Sequence, residues 1–246
     1  MSNRQDTPTN DLAPVFNTLP TLVMFCKRPK LNQGKQRLVE MISAESALII
    51  AQGLLACAVE DIQAWDGPVV IACSDEADMQ WAQMLNENAQ VVTQLPAGVS
   101  GNLGQRLNHV DHELRAQGHQ HIVIIGTDAP VLNSLHYQDV KVALSEYDVV
   151  LSHAEDGGVV VMANSVPWPD ISALPWSTEY LSQALAQACR HEKLSVHYSM
   201  PGYDIDYVAD IQKLKRDLIN DHRPARQALL ITINQLFASL GGVCHA

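Results

Sequence analysis

Several classes of function are excluded by what this 246-residue chain lacks. It has no run of Lys or Arg and a formal net charge of −11, whereas surfaces for nucleic acids and anionic membranes are built from clustered cations. Its five cysteines are widely spaced and form no CxxC pair, which argues against a disulfide framework or a thiolate zinc site. No apolar stretch approaches the ~20 residues that span a membrane, and the N-terminus lacks the layout of a secretory signal. We expect a cytoplasmic protein that binds neither nucleic acid nor membrane.

Short apolar runs predict four buried strands, at residues 22–26, 69–73, 122–125 and 149–151. The residues in each run are apolar at consecutive positions, as in strands that are covered on both faces. Aromatic residues make up only 5% of the chain, so the core is expected to be mainly aliphatic.

Amphipathic stretches between these runs predict helices. The longest of them covers residues 44–65 and begins after Ser43, a plausible N-cap; shorter helices are predicted over 75–88, 103–117, 135–146 and 178–192. The alternation of strands and helices predicts an α/β fold with a mainly parallel sheet and right-handed crossovers.

The domain organisation is predicted to be simple. Residues 1–18 are polar and predicted to form a disordered lead-in, and residues 19–246 are predicted to form a single domain. That domain closes with an amphipathic helix over 224–240. The apolar face of this helix has two interpretations, core packing and a homodimer interface.

The loop after the first predicted strand contains the cations that are sparse elsewhere. Five of them lie within eleven residues: Lys27, Arg28, Lys30, Lys35 and Arg37. A flexible loop that leads into a helix can present backbone N–H groups and cations to phosphate oxygens, although a solvated basic loop is the alternative. The chain has neither P-loop spacing nor a GxGxxG motif, which disfavours a dinucleotide-dependent oxidoreductase or a methyltransferase.

Acidic residues follow three other extended segments. Asp128 lies between Gly126 and Pro130 at the end of a predicted strand, where a carboxylate can hold Mg²⁺ or Mn²⁺ or can simply stabilise a turn. Asp204 and Asp206 alternate in an extended segment and should share one face. One of them could be a second metal ligand; alternatively, Asp206 caps a helix that begins near Tyr207.

Two further patterns have competing interpretations. The segment 154–158 (Ala-Glu-Asp-Gly-Gly) places two acids before two glycines, which lets a ligand approach the backbone closely but is also compatible with an ordinary turn. His109 and His112 are three residues apart, and without a third ligand they are interpreted as part of a solvated helix face.

Taken in this order, the motifs resemble the bacterial family of radical-SAM/selenodomain-associated transferases. That family is grouped with the GT-A-like nucleotide-diphospho-sugar transferases and is related to phospholactate guanylyltransferases. The resemblance covers about residues 21–214 and rests on the following segments: Phe25-x-Lys27-x-Pro29, Lys35-x-Arg37-Leu38, Gly101-x-Leu103-Gly104-x-Arg106, Gly126-x-Asp128-x-Pro130, Ala154-Glu155-Asp156-Gly157-Gly158, Pro175-Trp176-Ser177-Thr178 and Asp204-x-Asp206.

The resemblance implies a Rossmann-like GT-A fold with helices on both faces of the sheet, together with a set of residue roles. The implied nucleotide-binding residues are Lys27, Lys35, Arg37, Asn102 and Arg106. The implied metal ligands, for Mg²⁺ or Mn²⁺, are Asp128 and Asp206. The implied catalytic residues are Lys35 and Arg37, with Glu155 or Asp156 as the base where one is needed. The implied substrate-binding residues are Gly157, Gly158, Trp176 and Ser177.

Some positions depart from the family pattern. Asn32 replaces a glycine but can adopt a left-handed conformation, Gln36 replaces a threonine, and Asn102 replaces an aspartate. Residues 159–161 are three valines where the family has an aromatic-rich run that shapes the acceptor pocket.

We expect a metal-dependent transferase that acts on a nucleotide or nucleotide sugar and an unidentified small acceptor. The Lys-x-Arg-Leu element favours nucleotidyl transfer, whereas the family label favours glycosyl transfer. The alternative is a nucleotide-sugar-binding protein that has lost turnover and serves as a sensor or partner subunit.

Overall fold

The computed structural model of the chain describes residues 19–241. The lead-in predicted for residues 1–18 lies outside this range, as do residues 242–246. Seven strands form one sheet in the order β3-β2-β1-β4-β6-β5-β7. They are β1 (Thr21–Cys26), β2 (Val69–Cys73), β3 (Gln90–Thr93), β4 (Ile122–Ile125), β5 (Val149–His153), β6 (Val159–Asn164) and β7 (Val196–Tyr198).

Eight α-helices lie within the described residues. They are α1 (Gln36–Val39), α2 (Ala44–Gln63), α3 (Met79–Gln83), α4 (Leu103–Ala116), α5 (Ser134–Leu144), α6 (Leu181–His191), α7 (Val208–Asp217) and α8 (Pro224–Gly241). Ser43 caps α2 as predicted, since its side chain accepts a hydrogen bond from the backbone N–H of Ser46. No helix in this part of the chain is long and apolar enough to cross a membrane.

The sheet is parallel except for β6. Strand β1 pairs in parallel with β2 on one side and with β4 on the other, whereas β6 runs antiparallel to both β4 and β5. The five residues 154–158 join β5 to β6, a connection short enough for an antiparallel pair but far too short for a parallel crossover. The prediction of a mainly parallel sheet is therefore confirmed, with one reversed strand.

Helices cover both faces of the sheet, as predicted. Successive side chains of a strand point to opposite faces, so Met24 packs in one apolar cluster with Ile62 of α2. Its neighbour Val23 packs in a second cluster with Val110 of α4 and Leu185 of α6. Both faces of β1 are buried in this way, which explains its uninterrupted apolar sequence.

The closing helix α8 packs against α2 of the same chain. Leu229 and Ile233 are buried in a third cluster with Ile50 and Leu54. The two helices approach closely at Gly53, where a Cβ would lie 2.7 Å from Cδ1 of Leu229. These contacts favour the core-packing interpretation of the apolar face, and the homodimer stays a prediction.

Two predicted helices are shorter in the structure. Residues 75–88 form a 3₁₀ turn (Glu76–Asp78) followed by α3, which ends at Gln83. The amide of Gln83 closes the next turn by donating to the carbonyl oxygens of Asn86, Glu87 and Ala89.

The helix predicted from residue 178 begins at Leu181 and has Tyr180 at its N-cap. Ser177 has a φ of 64°, a left-handed conformation that a helix cannot contain. The three valines at 159–161 begin strand β6, which the sequence did not predict, and Val160 and Val161 are buried there.

Candidate functional site

The cationic loop between β1 and α1 has an unusual backbone. Asn32, Gly34 and Lys35 have φ values of 61°, 74° and 48°, all in the left-handed region. The expectation that Asn32 can take a conformation usually left to glycine is confirmed. Lys35 is also the N-cap residue of α1, so its position is defined by both the loop and the helix.

Three carboxylates converge at the carboxyl end of β4. The backbone N–H of Ile205 donates to the carbonyl oxygen of Asp128 at 3.0 Å, which fixes the segment around residue 205 beside the loop that follows β4. As a result, Asp128, Asp204 and Asp206 each offer a carboxylate oxygen, and these atoms lie within 4.8 Å of one another.

The side chain of Lys35 reaches into this cluster. Its Nζ lies 3.0 Å from Oδ2 of Asp128 and 3.1 Å from Oδ1 of Asp206. Arg37 Nη1 lies 2.7 Å from the other carboxylate oxygen of Asp206. Burial alone lowers the pKa of Lys35, but the attraction of Asp128 and Asp206 outweighs burial and raises it above its usual value. Lys35 is therefore a firmly charged cation.

The cluster keeps an excess of negative charge. The pKa of Asp204 is raised to about 6, above all by burial. The next causes are the negative charges of Asp128, Asp156 and Asp206. Four carboxylates thus influence one another while Lys35 and Arg37 supply two positive charges, so the position attracts a further cation.

The chemistry of these ligand atoms fits a hard divalent cation. Mg²⁺ and Mn²⁺ take oxygen ligands and bind through one or two protein carboxylates together with phosphates. The capping alternative for Asp206 is wrong, since Tyr207 is the N-cap residue of α7 and the Asp206 carboxylate instead contacts Lys35 and Arg37.

The remaining cations of the loop divide into two groups. Arg28 and Lys30 both contact Asp78, at 3.6 and 2.9 Å, and that carboxylate is buried. Lys27 is exposed and has no hydrogen bond or ion pair within residues 19–241. Lys27 is therefore the cation of this loop that is available to a ligand without breaking an existing ion pair.

Arg106 holds the loop that follows β3. Its Nε donates to the carbonyl oxygen of Gly101 at 3.1 Å, and its Nη1 donates to Oε1 of Gln94 at 3.2 Å. Gln94 is buried and donates to the carbonyl oxygens of Ala72 and Cys26. Sequence reasoning missed Gln94, because the short strand β3 that it follows was not predicted.

Asn102 caps α4. Its side chain accepts from the backbone N–H of Gln105 at 3.0 Å and donates to the carbonyl oxygen of Ser172 at 2.8 Å. These contacts give Asn102 and Arg106 structural roles at the carboxyl edge of the sheet. Their contacts with a nucleotide stay predictions.

The turn between β5 and β6 contains the second pair of acids. Glu155 forms an ion pair with Lys213 of α7, a partner that sequence reasoning did not anticipate. Asp156 Oδ1 accepts a hydrogen bond from the backbone N–H of Gly158 at 2.9 Å. The negative charge of Asp156 contributes to the raised pKa of Asp204 in the carboxylate cluster, whereas Glu155 is paired with Lys213.

The segment before α6 lies directly against this turn. Gly157 has a φ of 87°, and a Cβ at this position would lie 1.9 Å from the carbonyl oxygen of Glu179, so only glycine fits. Trp176 is half-buried and donates its indole N–H to the carbonyl oxygen of Ile171 at 2.9 Å. The turn and this segment, which includes Ser177, pack against each other, and their contact with substrate stays a prediction.

Comparisons with known proteins agree with this architecture. Residues 57–178 match the model of DUF2064, a family described as an uncharacterised protein conserved in bacteria. The chain is 23% identical over 128 residues to a 2-phospho-L-lactate guanylyltransferase of Methanocaldococcus fervens, a match that covers 52% of this chain and 54% of that protein. The chain thus spans about half the length of the curated relative that it matches.

Two solved structures have the same fold. One, from Desulfovibrio desulfuricans G20, is described as a nucleotide-diphospho-sugar transferase; it is 20% identical, with a TM-score of 0.76 over 88% of this chain and 97% of that chain. The other is a cytidylyltransferase from Leptospira borgpetersenii, 14% identical, with a TM-score of 0.51 over 88% of this chain and 93% of that chain. The predicted similarity to guanylyltransferases and to nucleotide-diphospho-sugar transferases is confirmed.

Proposed function

We propose that this chain, whose residues 57–178 match the model of the bacterial family DUF2064, is a nucleotidyltransferase that depends on a divalent metal ion. It would transfer a nucleoside monophosphate from a nucleoside triphosphate to a small phosphorylated or carboxylated acceptor. The observation that carries the proposal is the convergence of Lys35 and Arg37 with Asp128 and Asp206. This arrangement combines ligands for a metal ion with cations for phosphates at the carboxyl edge of the sheet, where α/β folds bind ligands.

The cations of the first loop are suited to a polyphosphate. Lys27 is exposed. Lys35 is the N-cap residue of α1, which begins in the same loop, and Arg37 lies within that helix. Ammonium and guanidinium groups form short, charge-assisted hydrogen bonds with phosphate oxygens. We assign the triphosphate to this loop, with Arg106 and Asn102 at the side where the base and ribose would lie.

The acidic cluster is assigned to the metal ion. Asp128 and Asp206 are the proposed ligands, and Asp204 is added because its carboxylate lies within reach of the same point. When bound, Mg²⁺ or Mn²⁺ would supply positive charge against the phosphate oxygens and orient the polyphosphate. The backbone hydrogen bond from Ile205 to Asp128 supports the cluster, because it fixes the segment around residue 205 relative to the loop after β4.

In the proposed reaction an acceptor oxygen attacks the α-phosphorus in line. A bond forms between that oxygen and the α-phosphorus while the bond from the α-phosphorus to the bridging oxygen breaks, and pyrophosphate leaves with the electron pair. Lys35 and Arg37 would stabilise the charge that develops on the pyrophosphate. A phosphate or carboxylate acceptor is already ionised at neutral pH, so no base has to remove a proton.

The position of Glu155 argues against one of the two candidate bases for inverting glycosyl transfer. Transfer of a sugar to a hydroxyl needs a base, and the candidates were Glu155 and Asp156. Glu155 is 67% exposed and paired with Lys213, which makes it poorly placed for that role. Glycosyl transfer and ligand binding without turnover are the alternatives that the test must separate.

The test is thermal unfolding in the presence of nucleoside triphosphates and nucleotide sugars, each with Mg²⁺, Mn²⁺ or EDTA. A ligand at one hundred times its dissociation constant stabilises by ~2.7 kcal/mol, which corresponds to roughly 5–10 °C for a chain of this size. We expect such a shift with a nucleoside triphosphate and metal but not with EDTA. Release of pyrophosphate is then measured across a panel of phosphorylated and carboxylated acceptors.

Each outcome leads to a different conclusion. A shift with a nucleotide sugar, followed by release of a nucleoside diphosphate, would replace the proposal with glycosyl transfer. Binding without turnover across the acceptor panel would indicate the sensor or partner-subunit alternative. No shift with any ligand at millimolar concentration would contradict the nucleotide site itself.

The metal assignment predicts the behaviour of Asp128→Asn. The amide is isosteric and keeps the fold, but it removes a charged ligand, so the Mn²⁺ affinity should fall at least about tenfold. Electron paramagnetic resonance of free Mn²⁺ measures the affinity, and thermal unfolding checks the fold. Asp66→Asn is the matched control, since Asp66 is exposed and pairs with Lys141 away from the cluster. Equal Mn²⁺ affinity in the two variants would contradict the assignment.

A further inference from the structure

The ammonium group of Lys35 lies where the proposed metal ion would have to bind. It contacts Asp128 at 3.0 Å and Asp206 at 3.1 Å, and its side chain is only 13% exposed. A divalent cation would take the same oxygens at about 2.0–2.6 Å. An ammonium and a divalent ion on the same oxygens would place two like charges within a few ångströms of each other, which is unfavourable. Lys35 in this position therefore opposes metal binding through these oxygens.

Phosphate is the natural alternative partner for the displaced ammonium. Lys35 is on a flexible four-carbon side chain, so its amine can change partners without a change in the backbone. Arg37 is in a similar position, since it pairs with the other oxygen of Asp206 at 2.7 Å. Both cations assigned to phosphate are thus held by the carboxylates assigned to the metal.

We propose that Lys35 exchanges partners between the carboxylates and the nucleotide, and so couples metal binding to nucleotide binding. In the free protein its ammonium neutralises Asp128 and Asp206 and lowers their affinity for a divalent cation. When the metal–nucleotide complex enters, Lys35 transfers to a phosphate oxygen and releases both carboxylates. This inference rests on the proposed function and specifies how the site is regulated.

The exchange predicts reciprocal coupling. Lys35 leaves the metal ligands before the metal binds, and it then contacts the nucleotide. Each ligand therefore raises the affinity of the protein for the other ligand. The bare metal would bind weakly and the metal–nucleotide complex would bind well. When the nucleotide is absent, Lys35 would stay paired with Asp128 and Asp206.

The first experiment is Mn²⁺ titration of the nucleotide-free protein, followed by electron paramagnetic resonance. Lys35→Met keeps the length of the side chain but removes its charge, so Mn²⁺ should bind at least about tenfold more tightly than to the wild type, a gain of ~1.4 kcal/mol. Lys30→Met is the matched control, because it removes one ammonium from the same loop, where it pairs with Asp78 instead. Its Mn²⁺ affinity should stay within about twofold of the wild type, since exposed charges at a distance are screened.

The outcomes separate this inference from the proposed function. If the wild type and Lys35→Met bind Mn²⁺ equally and both lose it with Asp128→Asn, the exchange is wrong and the metal site stands. An equal gain in Lys30→Met would also overturn the exchange, because the effect would then be one of net charge. If none of these proteins binds Mn²⁺ at millimolar concentration, the metal site and the exchange both fail.

A second experiment uses the wild-type chain and does not depend on a variant that folds. The rate of amine acylation at Lys35 is measured by mass spectrometry, with the exposed Lys193 as the internal reference. Lys35 should be protected in the free protein, react at least about threefold faster with saturating Mn²⁺, and be protected again with Mn²⁺ and inorganic triphosphate. A rate at Lys35 that does not change with saturating Mn²⁺ would overturn the exchange.

Discussion

At the scale of single residues, the position of the Asp128 carboxylate depends on the glycine two residues before it. A Cβ at Gly126 would lie 2.9 Å from Oδ1 of Asp128, closer than such atoms can approach without movement. The backbone of Gly126 is not in the left-handed region, so the requirement for glycine comes from space and not from φ. This glycine lets the carboxylate lie close to the strand end that positions it.

Gly126→Ala should therefore displace the carboxylate and leave the fold intact. The free end of a side chain moves more readily than backbone, so we expect the Mn²⁺ affinity to fall about tenfold while the melting temperature changes by only a few degrees. Mn²⁺ titration and thermal unfolding measure the two effects. The same substitution in the Asp128→Asn background should cost no further affinity; additive losses would contradict the proposed contact.

The residues of the site were predictable to different degrees. Most of the acidic and basic positions could be identified because they follow an apolar run, whereas Asp204 and Asp206 were identified from their alternation. The left-handed Asn32 followed from its side-chain chemistry. The contacts of Lys35 could not be predicted, because its partners Asp128 and Asp206 are 93 and 171 residues away along the chain. Local sequence patterns carry no information about such distant contacts.

At the scale of elements, α8 anchors the loop that carries Asp128, the proposed metal ligand. Arg226 of α8 is fully buried. It donates to the carbonyl oxygens of Pro130 and Leu132 in the loop after β4, at 3.1 and 3.2 Å. It also contacts Asp61 of α2 at 2.6 Å and Glu60 at 2.9 Å. The closing helix therefore connects α2 to the site as well as covering the core.

Removing this connection should be costly. Arg226→Met leaves Asp61 buried with one partner fewer, and breaking a buried pair on one side typically costs about 3–5 kcal/mol. Arg223 also contacts Asp61, at 3.0 Å, but its side chain is 28% exposed, so Arg223→Met should cost only about 1 kcal/mol. Urea-induced unfolding measures the free energy of unfolding of both variants. Similar losses of this free energy would show that the burial of Arg226 does not determine its contribution to stability.

The strands that sequence reasoning missed share a physical explanation. Strand β3 has only two adjacent apolar residues, Val91 and Val92, and β7 has the polar His197 at its centre, so neither forms a recognisable apolar run. Strand β6 has a clear apolar sequence, but its three valines were considered only as a departure from the family's aromatic-rich run and not as a strand. The reversal at Gly157 and Gly158 was compatible with an ordinary turn, and that turn is the one that makes β6 antiparallel.

At the scale of the whole molecule, the order of the strands determines where the parts of the site meet. Strands β1 and β4 are neighbours at the centre of the sheet, so the cationic loop after β1 and Asp128 after β4 emerge side by side. The chain leaves β1 toward β2 on one side and reaches β4 on the other, which creates the crevice in which such sheets bind ligands. The alternation of elements predicted this edge, but the order of the strands depends on packing between distant segments.

This arrangement predicts that ligand binding affects one edge of the sheet. With Mg²⁺ and the nucleotide identified by thermal unfolding, hydrogen exchange should slow in segments 27–37, 94–102, 126–133 and 203–206, since bound ligands stabilise the segments they contact. It should stay unchanged in segments 64–68, 117–121 and 145–148, which precede β2, β4 and β5 at the opposite edge.

Hydrogen exchange detected by mass spectrometry measures both sets of peptides in one experiment. Asp128→Asn with the same ligands is the control, because protection around residues 126–133 and 203–206 should be lost when the metal is not held, while contacts from Lys27 keep part of the protection at 27–37. Equal protection at both edges would indicate general stabilisation of the fold, and protection confined to the opposite edge would mean that the ligand binds away from Lys35 and Asp128.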